Sequence, residues 1–173
     1  MKVVSYLSTV PSSNNNQQKI DLLKYYIEGV NSVGDIGIVH MGNTLVDCNV
    51  GMIQGWVYDK KITPHLKLRD SVIQTQTNSN KYVCTGDANL FLYADPKNSQ
   101  GYLRYSFNGI FPNTGIYCDD NIDPTRWDKI SRNYKIQLEP IKNKGRHILL
   151  MLQRQGGWSM KGNDVTTWAQ KTI

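Results

Sequence analysis

Nowhere in the 173 residues does an apolar stretch approach the about 20 residues needed to cross a bilayer, which excludes a transmembrane helix. The N-terminus, MKVVSYLSTV, has one lysine and no small-residue cleavage site after its apolar run, so it reads as a first strand rather than a signal peptide. Cysteine is scarce. Cys48, Cys84 and Cys118 are an odd number, far apart, with no C-x-x-C pair. A disulfide framework or a thiolate zinc site is therefore not expected, and reduced thiols in a cytoplasm are. His40, His65 and His147 share no helix spacing, and Asp119, Asp120 and Asp123 lack the glycine of a calcium loop, so no metal site is expected either.

The standard phosphate motifs are missing too. The loop after the first strand is PSSNNNQQ, not G-x-G-x-x-G. Gly157 to Gly162 has the glycine spacing of a P-loop, but Asn163 stands where the phosphate-binding lysine must. No G-x-S-x-G elbow or Cys-His pattern suggests a hydrolase triad.

What is present is an apolar fraction of 39%, enough for a core, and a net charge of +6. That charge favours anionic partners, although the basic residues are scattered. The chain opens with a β-branched run from Lys2 to Val10, then turn residues, then Ile20, Leu23, Tyr26, Ile27 and Val30 at helical spacing. Gly34 ends that pattern and Asp35 to His40 is a short strand, which together spell a parallel βαβ unit. Val50 to Val57 fits a helix face or a short strand. Pro64 limits any helix in the basic stretch 59–70, with a short helix expected from Asp70 to Thr77 and a strand at Tyr82 to Cys84. Residues 94 to 125, dense in Asn, Gly, Pro, Asp and Tyr, read as a long ordered loop. After PIKNKG, a linker, Arg146 to Leu152 reads as a buried strand, and Asn163 or Asp164 caps a closing helix. The fold expected is α/β: a Rossmann-like parallel sheet flanked by helices over residues 1–140. Residues 141–173 are expected to form a linker and an incomplete second βα unit, whose apolar face suits a homo-oligomer or another partner.

Four places carry candidate chemistry. His40 closes the second strand, where open α/β sheets bind ligands. His65 lies near Arg69 and Asp70 and has the neutral-range titration of a general base. The stretch from Tyr102 to Tyr117 mixes stacking rings with Arg104, Ser106 and Asn108, a set suited to a sugar or a nucleobase. QRQGGWSMKGND joins a strand to a helix N-terminus, where backbone amides suit an anion.

GMIQGW (51–56), PHLKLRD (64–70), YLRYSFNGIFPNTGIY (102–117), RW (126–127) and HILLMLQRQGGWSM (147–160) resemble a group of glycosyltransferase-like proteins of tailed phages and some bacteria. The resemblance implies the two-lobed GT-B design, with an acceptor-side N-terminal half and a nucleotide-sugar donor on the C-terminal half. It implies His65, His40 and Asp87 as base candidates. Arg104, Tyr105, Ser106, Asn108 and Tyr117 would contact substrate, and Arg154, Gly157, Trp158 and Ser159 the donor. No metal or other cofactor is implied, and the acceptor would be a sugar-accepting molecule such as phage DNA. Because the sequence runs only one βα step into the second half, an N-terminal half or truncated form is expected. The competing expectation is a non-catalytic basic protein that binds nucleic acid or a host protein.

Overall fold

The structure is a computed structural model that describes residues 1–12, 17–57, 62–88, 103–111, 114–117, 120–121, 123–140, 145, 150–152, 155, 160 and 162–172. The chain divides into two compact units, Met1–Ile122 and Asp123–Ile173. The first holds a five-stranded sheet: β1 (Lys2–Tyr6), β2 (Ile36–His40), β3 (Val50–Gln54), β4 (Tyr82–Ala88) and β5 (Leu103–Phe107), in the order β2-β1-β3-β4-β5. Pairings among β1 to β4 are parallel, and β5 runs antiparallel to β4. Two helices, α1 (Gln17–Ser32) and α2 (Pro64–Asn78), connect parallel neighbours. This is the expected α/β, Rossmann-like architecture.

The two-residue period of the strands sorts their side chains onto two faces. Val4, Tyr6, Ile53 and Val83 pack with Leu68, Val72 and Ile73 of α2. Their sequence neighbours Val3, Met52 and Cys84 pack instead with Leu23 and Ile27 of α1. The helices therefore cover opposite faces, and β3 is buried along its whole length. That burial settles Val50–Gln54 as strand rather than helix.

Glycine sets the closest approach. A Cβ on Gly51 would stand 2.8 Å from Val72 Cγ1, and one on Gly37 would stand 2.8 Å from Ile27 Cγ2. Gly34, at φ +86°, ends α1 as the helical pattern expects. At the β2 edge, the backbone N–H of Gly37 donates to Asn31 Oδ1 at 2.6 Å.

Three expectations are corrected. Pro64 does not limit a helix but begins one: it occupies the first position of α2, where its missing N–H has no intrahelical partner to lose. The helix thus starts six residues before Asp70 and takes in His65 and Arg69. The expected loop over 94–125 contains strand β5, whose Phe107 also bridges to Ile116. In the second unit, Leu150, Met151 and Leu152 are not in a strand, so the expected second βα unit is not formed by these residues. An apolar run becomes a strand only where a neighbour pairs its backbone, and no described residue of that unit is in one. Met151 is 82% exposed. Residues 146–149 lie outside the described residues.

That second unit contains α3 (Thr125–Tyr134) and α4 (Val165–Thr172). Asp164 caps α4, accepting from the Thr167 N–H at 2.7 Å, while Asp123 accepts from Thr125 before α3. No helix among the described residues is long and apolar enough to cross a membrane.

Candidate functional site

Strand β1 has β2 on one side and β3 on the other, and the helical connections leave these two central strands in opposite directions. Sheets of this kind open a crevice beyond the carboxyl ends of the strands at such a point. The carboxyl end of β1 runs into a short 3-10 turn, Leu7–Thr9. The Thr9 hydroxyl accepts from the Gln54 N–H at 3.0 Å and donates to the Tyr6 carbonyl, tying the ends of β1 and β3 together.

Arg69 reaches into this crevice from α2. It is only 7% exposed. Nε and Nη2 donate to the Thr9 carbonyl at 3.0 and 2.7 Å, and Nη2 donates also to Gln54 Oε1 at 2.5 Å. Burial pushes its pKa down to about 10, opposed by the charge of Asp87, so it stays cationic at neutral pH. Beside it Gly55 sits at φ +67°, and a Cβ there would lie 3.2 Å from Arg69 Nη1 and 3.8 Å from Asp87 Oδ1. Asp87, on β4, is paired in register with Arg104 on β5, and their side chains form an ion pair of 2.7 Å. The Nε of Arg104 is buried without a hydrogen-bond partner. Arg69, Asp87 and Arg104 thus form a row across the carboxyl edge of β3, β4 and β5's antiparallel start.

His65, four residues before Arg69, is half-buried on the first turn of α2 and lies 3.2 Å from the Thr63 hydroxyl. Burial and then the Arg69 charge hold its pKa below the ordinary histidine value, which keeps it neutral and able to take a proton. His40 also stands at the carboxyl edge, but against Tyr6, ring edge to face at 5.5 Å, and 3.4 Å from the Thr44 hydroxyl.

The other candidates from 102–117 have their polar groups engaged by the fold. Ser106 donates to the Gly109 carbonyl, and Tyr117 donates to the Ile110 carbonyl at 2.7 Å. Asn108, in the left-handed region at φ +57°, pairs with Val83 through both its backbone N–H and its Oδ1. Tyr105 stacks on Tyr26 of α1 at 5.2 Å, on the sheet face opposite Arg104. Of that set, Arg104 is the one brought to the crevice. Arg154, Gly157, Trp158 and Ser159 lie outside the described residues. Among the described residues no group of histidine, cysteine, aspartate and glutamate side chains is arranged to hold a metal ion.

Sequence reasoning named Arg69 only as a neighbour of His65. The signal that places it was present: residues 65, 69, 72, 73 and 76 repeat at helical spacing, once Pro64 is read as a helix start. No protein-family model, curated protein or solved structure matches this chain.

Proposed function

We propose that this chain is the substrate-holding domain of a glycosyltransferase-like protein that moves a sugar from a nucleotide-sugar to a hydroxyl acceptor bound at the carboxyl edge of the sheet. One observation supports the reading above the others: at the β1/β3 crevice α2 places a neutral histidine one helical turn from a buried arginine. In the proposed reaction His65 takes the proton of the acceptor hydroxyl as its oxygen forms a bond to the sugar's anomeric carbon. The bond from that carbon to the nucleotide diphosphate breaks, and the diphosphate leaves with the electron pair. Of the other base candidates, Asp87 is engaged by Arg104 and His40 by its contacts with Tyr6 and Thr44.

The test is a transfer assay with the whole gene product that carries these residues, labelled nucleotide-sugars and an acceptor panel that includes duplex DNA. Transfer is expected, and His65→Ala should lower its rate at least about 100-fold, the usual scale of general-base catalysis. Full turnover by that variant removes His65 from the role. No transfer with any donor, alongside retention of DNA, favours a non-catalytic nucleic-acid protein instead.

A further inference from the structure

The crevice corner carries an imbalance of charge. Two guanidinium groups, Arg69 and Arg104, meet one carboxylate, Asp87, whose charge also acts on Arg69. Asp87 Oδ2 is taken by Arg104. Arg69 is nine-tenths buried, and among the described residues none accepts a hydrogen bond from its Nη1. A desolvated cation with less than one counter-charge to itself is costly unless an anion completes it. Gly55, in a left-handed conformation, lies against Nη1 and brings no side chain over it: a Cβ there would stand 3.2 Å from that nitrogen.

We propose that the Arg69–Gly55–Asp87–Arg104 corner binds the terminal phosphate of the accepting substrate, a phosphomonoester. This rests on the carboxyl edge being the acceptor site, and it goes further by giving that acceptor a chemical class. Nε and Nη2 of Arg69 are committed to Thr9 and Gln54, so Arg69 would offer Nη1 alone, while the guanidinium fork of Arg104 can meet two oxygens of a tetrahedral oxyanion. A nucleic-acid backbone fits less well. Backbone phosphates are gathered by exposed lysines and arginines along a surface, whereas Arg69 is withdrawn into the crevice. A small terminal group can enter such a corner.

The experiment titrates inorganic phosphate against the intact protein at constant ionic strength, with chloride as the balancing anion, and follows the melting temperature. Wild type should show a saturable rise. Arg104→Gln should weaken the apparent affinity about tenfold or more, the scale of one charge-assisted hydrogen bond. Asp87→Asn, which removes the competing carboxylate, should tighten it. Arg69 also anchors Thr9 and Gln54, so it is not the residue to vary. If Arg104→Gln fails to fold, Arg104→Lys keeps the charge and loses the fork, and it should still weaken binding. A wild-type response that does not saturate, or one unchanged in whichever Arg104 variant folds, overturns the proposal. So does duplex DNA binding indifferent to both phosphate and Arg104 when phosphate itself has no saturable effect. Sugar transfer to neutral acceptors with phosphate inert would sink this inference alone. Saturable phosphate binding without any transfer would sink the glycosyl-transfer reading and leave the site standing.

Discussion

A residue's polar group can serve the fold or face a ligand, and between Tyr102 and Tyr117 the two uses were indistinguishable in sequence. Ser106, Asn108 and Tyr117 are just the residue types that bind sugars, yet each closes a hydrogen bond within the fold, Asn108 across to Val83. Only tertiary placement separates them from Arg104, whose Nε is left without a partner. His65 was legible because its near-neutral titration is intrinsic; its environment was not. Its depressed native pKa carries a sign. The native state binds fewer protons than the unfolded state below about pH 6.5, the ordinary histidine value, so stability there falls as pH falls. The contribution is fully present above that value and is lost once pH has passed the native pKa. Denaturant melts between pH 7.5 and 5 should show this slope, and His65→Gln should flatten it. An unchanged slope in the variant would assign the effect to other groups.

At the scale of elements, the first βαβ unit was readable because three independent signals agreed: β-branched runs, a 3.6-residue period and a glycine stop. Strand β5 was missed although Leu103, Tyr105 and Phe107 alternate with Arg104 and Ser106, because turn-forming residues surround so short a run. Leu150, Met151 and Leu152 erred the other way: hydrophobicity suggested a strand, and pairing is what makes one. The packing of α2 on β3 is tight enough to predict a substitution. Gly51→Ala would put a methyl 2.8 Å from Val72 Cγ1 and 3.1 Å from Gln76 Nε2. Val72 is β-branched on a helix and cannot turn aside easily. The variant should lose about 1–3 kcal/mol, or about 2–4 °C of melting temperature per kcal/mol. Adding Val72→Ala should cost less in the Gly51→Ala background than in wild type. Simple additivity of the two melts would show that the methyl found room elsewhere.

For the molecule as a whole, every described strand, α1, α2 and the crevice corner belong to Met1–Ile122, while the described residues of Asp123–Ile173 include the helices α3 and α4, of 10 and 8 residues. Neither helix is long enough to hold its shape in water without packing, so the two units differ in what they need to fold. A chain ending at residue 122 should keep a cooperative melt and an α/β circular-dichroism spectrum, and should retain phosphate-dependent stabilisation. Loss of the cooperative transition would show that the first unit depends on the second. Asn31 bears on how copies of the molecule meet. From Ile36 to Val46 the chain carries no Asp, Glu, Lys or Arg, and β2 is an outermost strand of the sheet. Such a border would template the addition of a further strand. Since Ile36 points its N–H inward to Met1, Gly37 points outward, and there it meets the Asn31 amide oxygen instead of another chain. One asparagine thus imitates the carbonyl of an absent neighbour, and at that rung the sheet has already met its last partner.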